Sequence, residues 1–153
     1  MPDKDVVEIW TDGGCKPNPG AGGWGAILVY KGTQRELSGA ALETTNNRME
    51  LTAAAEALET LKRPCKVTLH TDSEYLKNGI TRWMTGWVRK NWRNAAGDPV
   101  KNMDLWERIL AAAKAHEVEW KWVRSHVGIA LNERADELAT AARDAAVTAK
   151  GRR

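Results

Sequence analysis

The order of hydrophobic patterns along the chain constrains its fold more than any other feature. Three strand-like segments come first, at residues 5–12, 24–30 and 33–40, and the first two are rich in β-branched and aromatic side chains. From residue 51 onward, helical spacing alternates with further strand-like runs. Consecutive strands form an antiparallel meander, whereas strands separated by helices pair in parallel. We therefore expect an α/β fold, a five-stranded mixed sheet with helices on its faces.

The later segments follow the same periodicity rules. Apolar residues recur at helical spacing from Leu51 to Leu61, and Pro64 ends that pattern. The remaining predicted elements are a strand over 66–71, a helix over about 73–84, a helix from about 104, a strand over 118–122 and a helix from about 132. The C-terminal residues, from about 143 to 153, are predicted to fray as a basic tail.

Length and composition favour one folded domain over residues 1–153. The chain is 42% hydrophobic and 28% charged, which excludes a disordered or collagen-like chain. No apolar run reaches membrane-spanning length, and the acidic N-terminus is unlike a signal peptide, so we expect a cytoplasmic protein without membrane contact. Cys15 and Cys65 have no metal-binding spacing and are predicted to be free thiols.

A basic aromatic segment stands out within a modest net charge of +3. No acid occurs between Lys77 and Asp98. The segment carries Arg82, Arg89, Lys90 and Arg93 among Trp83, Trp87 and Trp92. The tryptophans fit a helix-packing stripe, but cations beside them also suit phosphate and sugar contacts. Both interpretations stay open from the residues alone.

The glycines of residues 20–25 match the G-x-G-x-x-G pattern of dinucleotide-binding proteins. That fingerprint must follow a strand and open a helix, whereas here it follows Pro-Asn-Pro and leads into a strand-like run. We therefore reject nucleotide binding and expect these glycines to shape a turn.

Four carboxylates are candidates for a metal site. Asp12 and Asp72 come at the ends of strand-like segments, whose carboxyl ends meet in one crevice if the strands are parallel neighbours. Glu50 and Asp136 lie in the first turns of their predicted helices, and their side chains could reach the same carboxyl ends of the strands. Clustered carboxylates repel unless hard cations neutralise them, and Mg²⁺ suits an all-oxygen site.

Each acid also has a structural alternative. Glu50 lies three residues after Asn47 and could belong to a capping box. Asp72 could cap the next helix, and Asp136 could be a surface acid near Arg134.

The histidines divide into two kinds. His70 lies within a strand and His116 at a helix end, and both are predicted to be structural. His126 lies in a loop between a strand and the helix that carries Asp136, where an imidazole could either shuttle protons or serve structure alone.

Taken together, these motifs resemble bacterial ribonuclease H, type I. The resemblance runs from about Glu8 to Ala142 and rests on several motifs in order: Asp12-Gly-Gly-Cys15, Asn18-Pro-Gly20, Thr44-Thr-Asn-Asn-Arg-Met-Glu50, Thr71-Asp-Ser73, Ser125-His-Val-Gly128 and Asn132-Glu-Arg-Ala-Asp136. It implies an endonuclease that hydrolyses the RNA strand of an RNA–DNA hybrid, leaving 5′-phosphate and 3′-hydroxyl ends. It also implies a monomer with no small-molecule cofactor.

The resemblance also implies roles for individual residues. Asp12, Glu50, Asp72 and Asp136 would hold two Mg²⁺ ions, which Mn²⁺ could replace, and His126 would aid proton transfer or product release. The hybrid would be contacted near the cleavage site by Cys15, Asn18, Thr45, Asn46, Asn47 and Glu74. A basic protrusion, here called the handle, would hold the DNA strand through Trp83, Trp87, Arg89, Lys90 and Trp92. The alternative function is a hybrid-binding module without catalysis.

Several positions depart from the family's pattern. Gly14 replaces a usual Ser, and Glu74 stands where a Gln is frequent. Ser125 replaces a Gly before His126, and residues 129–130 are Ile-Ala instead of a more polar pair. None of these positions is one of the four acids.

Overall fold

Five strands form one mixed sheet in the computed structural model, which describes residues 5–123 and 130–151. The strands are β1 (Asp5–Cys15), β2 (Gly20–Tyr30), β3 (Thr33–Thr44), β4 (Cys65–Thr71) and β5 (Glu117–Trp122). Their spatial order is β3-β2-β1-β4-β5. The first three strands pair antiparallel, and β4 joins β1 and β5 in parallel. This arrangement confirms the predicted fold class, including the three-strand meander.

Five α-helices accompany the sheet in the described part of the chain. They are α1 (Asn46–Thr60), α2 (Glu74–Asn78), α3 (Met84–Arg89), α4 (Met103–Lys114) and α5 (Ala130–Gly151). A π-helical segment, Gly79–Trp83, separates α2 from α3, so the helix predicted over about 73–84 is two short helices joined by a wider turn. No helix in the described part of the chain is long and apolar enough to cross a membrane.

The main core lies between the sheet and helices α1 and α4. Leu51, Leu58 and Trp106 are fully buried there against strand residues such as Ile9 and Leu69. Burying a side chain of this size stabilises a fold by about 1.5–3 kcal/mol relative to leaving it in water. This core therefore fixes α1 on the sheet, and with it the helix start that carries Glu50.

Helix α5 packs closely on β2 because two strand residues have no side chain. A Cβ added at Gly23 would overlap the Ala139 carbonyl, and one at Gly25 would lie 2.5 Å from the Ala135 carbonyl. The expectation that the glycines of residues 20–25 shape a turn was therefore wrong. They lie inside β2 and let a helix backbone approach the strand.

The C-terminal tail also differs from expectation. Helix α5 continues through Gly151, so residues 143–151 are helical and not frayed. Alanines at positions 145, 146 and 149 favour helix, and Arg143 anchors this stretch to the carbonyl of Lys16. The prediction of fraying rested on position near the terminus alone, whereas a tertiary contact of Arg143 orders this stretch.

Candidate active site

The parallel pairing of β1 with β4 brings two of the predicted acids to the same level of the sheet. Trp10 pairs with His70, Asp12 lies two residues further along β1, and Asp72 comes directly after Thr71, the last residue of β4. Because the two strands run in the same direction, both carboxylates lie at the level where the pairing of β1 with β4 ends. Strand β1 continues past Asp12 to Cys15, and over this stretch it pairs only with β2. Asp12 therefore lies where the pairing of β1 with β4 ends, and not at the end of β1 itself.

Helix α1 brings Glu50 to the same place. Its N-cap is Thr45, whose Oγ1 accepts a hydrogen bond from the Arg48 N–H at 3.1 Å. Glu50 instead points to β1, where its Oε1 accepts a hydrogen bond from the Gly13 N–H at 3.2 Å. The structure therefore does not show the capping-box alternative for Glu50.

Asp12, Glu50 and Asp72 form a compact carboxylate cluster. Each offers an oxygen, and these oxygens all lie within 4.8 Å of one another. Burial, followed by the charges of Asp12 and Asp72, raises the pKa of Glu50 well above its usual value. Glu50 Oε2 is buried and makes no hydrogen bond among the described residues, and a bound cation, or a proton shared with Asp12, would satisfy it. Hard oxygen ligands crowded in this way fit a divalent cation such as Mg²⁺.

Asp136 belongs to the same cavity but not to the compact cluster. It is exposed on α5 and lines a cavity of about 810 Å³ together with Asp12, Glu50 and Asp72. Its neighbour Arg134 is engaged elsewhere, through two hydrogen bonds to Glu36 of β3 at 2.6 and 2.9 Å. The cavity thus collects all four predicted acids.

Asp72 does not cap helix α2. The N-cap is Ser73, whose Oγ accepts a hydrogen bond from the Leu76 N–H at 3.1 Å. The Asp72 backbone carbonyl accepts a hydrogen bond from the Trp122 indole N–H at 3.3 Å, which ties this position to β5. The capping alternative is therefore wrong, and Asp72 lines the cavity.

The turn between β1 and β2 contacts the start of α1. The Cys15 N–H donates to Asn46 Oδ1 at 2.6 Å, and the Asn46 N–H donates to Asn18 Oδ1 at 3.2 Å. Asn47 and Glu74 are exposed and line the cavity beside Cys15 and Asn46. The predicted substrate-contacting residues therefore border the carboxylate cluster, although Asn18 and Thr45 lie outside the cavity lining.

The tryptophans of the segment predicted to form the handle pack against one another. Ring centroids are 5.8 Å apart for Trp83 and Trp87, and 6.1 Å apart for Trp87 and Trp92. Trp87 also packs on Trp106 of the core at 5.3 Å. The packing interpretation is therefore correct for Trp87 and Trp92, while Trp83 stays 37% exposed. Arg89 and Lys90 are exposed beside them.

His126 lies outside the described residues, as do Ser125 and Ile129. His70 stacks on Trp10 with ring centroids 4.4 Å apart, and His116 Nδ1 accepts a hydrogen bond from the Cys65 N–H at 3.0 Å. These contacts confirm that His70 and His116 are structural. Both cysteines are free thiols, as predicted.

Sequence reasoning missed two cations of the cavity. Lys16 and Arg143 line it at the side where α5 meets the β1–β2 turn. The signal was available, because Asp136, Thr140 and Arg143 follow helical spacing and therefore share one face of α5.

A comparison with protein families shows which family the chain belongs to. The RNase H family model matches residues 4–144. The chain belongs to the RNase H family. Curated relatives include the ribonuclease H of Acidiphilium cryptum, 74% identical over 140 residues, which cover 92% of this chain and 88% of the relative. The ribonuclease H of Gluconobacter oxydans is 75% identical over 138 residues, which cover 90% and 92%.

Solved structures of the family share the fold. LC9-RNase H1, described as a type 1 RNase H with the type 2 active-site motif, is 31% identical with a TM-score of 0.83, and the match covers 95% of this chain and 75% of that one. LC11-RNase H1, solved in complex with an RNA/DNA hybrid, is 25% identical with a TM-score of 0.67, covering 92% and 99%. The carboxylate cluster of this RNase H chain therefore belongs to a fold that binds an RNA/DNA hybrid in LC11-RNase H1.

Proposed function

We propose that this RNase H is an endonuclease that hydrolyses the RNA strand of RNA–DNA hybrids. The observation that carries the proposal is the cluster of Asp12, Glu50 and Asp72, which lies where the pairing of the inner strands β1 and β4 ends, inside an open cavity. The name shared by the curated relatives and the hybrid bound to LC11-RNase H1 support the same substrate.

The four acids are proposed to hold two Mg²⁺ ions, which Mn²⁺ could replace. Asp12, Glu50 and Asp72 supply convergent oxygens, and Asp136 reaches the cavity from α5. Mg²⁺ held by these acids would supply an activated water and charge stabilisation of the leaving 3′ oxygen, and hydrolysis with this leaving group would give 5′-phosphate and 3′-hydroxyl ends. Burial of the Glu50 carboxyl among like charges favours cation binding, because a cation relieves the repulsion that raises its pKa. His126 is proposed to aid proton transfer or product release.

Hybrid specificity is proposed to come from two surfaces. Exposed polar groups around Cys15, Asn46 and Asn47 suit contacts with 2′-hydroxyl groups, which only the RNA strand has. Arg89 and Lys90, exposed on the handle, suit the phosphates of the DNA strand. A duplex with one strand of each kind would satisfy both surfaces.

The first test is cleavage of an end-labelled RNA–DNA hybrid with Mg²⁺, with EDTA as the control. Single-stranded RNA, double-stranded RNA and double-stranded DNA of the same sequence are the comparison substrates. The proposal predicts metal-dependent cleavage of the hybrid alone, within the RNA strand. Tight binding of the hybrid without cleavage would instead support a non-catalytic binding module.

A further inference from the structure

We infer that Arg143 is a positioning residue, which fixes the β1–β2 turn (residues 16–19) for substrate binding. The inference rests on the proposed role of Asn18 in this turn, and of the adjacent Cys15, in contacting the hybrid. Arg143 would act through the turn and would not touch the reacting atoms.

Arg143 links helix α5 to the turn. Arg143 Nη2 donates a hydrogen bond to the Lys16 carbonyl oxygen at 2.6 Å, and Nη1 donates to Asp144 Oδ1 at 2.9 Å. The Arg143 backbone is itself held close to the sheet, because a Cβ at Gly23 would lie 2.9 Å from its nitrogen. A short charge-assisted bond therefore runs from a fixed helix to the turn.

Helix α1 holds the turn from the opposite side through Asn46. Asn46, at the start of α1, accepts from the Cys15 N–H at 2.6 Å and donates to Asn18 Oδ1 at 3.2 Å. Helix α1 carries Glu50 and α5 carries Asp136. The turn is therefore tied to both helices that bring acids to the cavity, and Arg143 supplies the tie to α5.

Arg143 is expected to contribute little to the stability of the fold. Its Nε is buried and meets no acceptor among the described residues. An unsatisfied buried donor costs free energy, which offsets part of what the two hydrogen bonds contribute. Replacing Arg143 should therefore change the melting temperature little, and its main effect should be on the position of the turn.

The test compares Arg143→Ala and Arg143→Lys with the wild type and with Arg108→Ala. Arg108 is a matched control, since it also makes ion pairs on a helix, with Glu56 and Glu59, but does not line the cavity. The first readout is steady-state cleavage of the hybrid. We expect Arg143→Ala to raise KM roughly three- to tenfold with kcat nearly unchanged, the size expected when one hydrogen bond of ordinary net strength is lost. Lysine should restore most of the affinity, because its ammonium group can also donate a charge-assisted hydrogen bond to the Lys16 carbonyl.

The second readout follows the turn without substrate. Cys15 is half-buried beside the turn, with its Sγ donating to the Pro17 carbonyl at 3.0 Å, whereas Cys65 is 4% exposed and serves as an internal reference. Burial also raises the pKa of the Cys65 thiol, which keeps it unreactive. We expect Arg143→Ala, but not Arg108→Ala, to speed alkylation of Cys15 by iodoacetamide severalfold.

The two readouts separate the possible failures. If the wild type does not cleave the hybrid, the proposed function is wrong, and the substrate role of Arg143 falls with it. If the wild type cleaves but Arg143→Ala matches Arg108→Ala in KM and in Cys15 labelling, the positioning role alone is overturned. An equal loss of kcat in the alanine and lysine variants would also overturn it, because that pattern would place Arg143 in the chemical step.

Discussion

Gly13 and Glu50 are joined by a hydrogen bond of 3.2 Å between residues that lie 37 positions apart in the chain. The bond forms because strand β1 and the first turns of α1 touch at a residue with no side chain. A Cβ at Gly13 would overlap the Met49 carbonyl group and lie 2.7 Å from the Glu50 nitrogen. The approach of Glu50 to Asp12 therefore depends on glycine at position 13.

Gly13→Ala should destabilise the protein and disrupt the cluster. The added methyl group must push α1 away from β1, and overpacking of this kind costs about 1–3 kcal/mol in the free energy of unfolding. Urea denaturation measures the stability, and hybrid cleavage measures the site. Gly14→Ala is the matched control, because its Cβ would meet only Asn46 Oδ1, at an ordinary 3.6 Å. Equal stability of the two variants would contradict this account.

Asp12→Asn should abolish cleavage while binding of the hybrid survives. Asp12 is 5% exposed within the cluster, and an amide cannot supply the negative charge that a divalent cation needs. We expect cleavage to fall by at least roughly 10³-fold, as for the loss of several kcal/mol of metal-assisted stabilisation. Single-turnover cleavage and a filter-binding titration of the same hybrid separate the two effects. Full activity of the variant would refute the metal site.

Mg²⁺ should raise the melting temperature of the wild type, because a ligand that binds only the folded state stabilises it. EDTA should reverse the shift, and Asp12→Asn should remove it. Differential scanning fluorimetry at several Mg²⁺ concentrations gives the measurement without any substrate. The Gly14→Ala variant should keep the shift, since position 14 offers no side-chain ligand. A shift of equal size in Asp12→Asn would place the bound cation elsewhere.

Neutralising Arg89 and Lys90 together, by glutamine at both positions, should raise KM for the hybrid and flatten its salt dependence. Each cation that contacts a phosphate contributes about 0.9 to the slope of log affinity against log salt on B-form DNA, so the slope should fall by about 1–2. Arg35 and Lys62, which line a separate cavity beside Asp5, provide a control pair with the same charge change. An unchanged slope in the handle variant would show that the handle does not engage phosphates.

The sequence predicted the three-strand meander and the grouping of the acids because both follow from periodicity and strand direction. Asp12 and Asp72 could be placed together as soon as their strands were taken as parallel neighbours. The tie between Arg143 and Lys16 could not be predicted, because it requires the distance between a late helix and an early turn. The glycines of β2 were misinterpreted for the same reason, since only the packed structure shows that α5 lies over Gly23 and Gly25.

Protonation of Asp104 should weaken the contact between α1 and α4 at low pH. Arg48 donates to both carboxylate oxygens of Asp104, at 3.1 and 2.8 Å, and this lowers the pKa of Asp104 below its usual 3.8. Stability from the pair is therefore fully present above about pH 4 and is lost as the pH falls through the lowered pKa.

The size of this effect should be small, because the Asp104 side chain is 64% exposed. We expect less than about 1 kcal/mol. The difference in unfolding free energy between the wild type and Asp104→Asn, measured from pH 2 to 7, should shrink toward acid pH. Asp98→Asn removes an exposed carboxylate that makes no ion pair among the described residues, so it should show no such trend. A constant difference across the range would exclude the pair as its cause.

Gly79→Ala and Gly86→Ala should have opposite effects on stability, although both glycines lie in the helical stretch of residues 74–89. A Cβ at Gly79 would overlap the buried Trp106 ring, whereas one at Gly86 would meet nothing within 4 Å. Gly79→Ala should therefore cost about 1–3 kcal/mol through displacement of the indole. Gly86→Ala should gain up to about 1 kcal/mol, because alanine favours helix over glycine. Urea denaturation followed by tryptophan fluorescence measures both, and a tolerated Gly79→Ala would mean that Trp106 is free to move within the core.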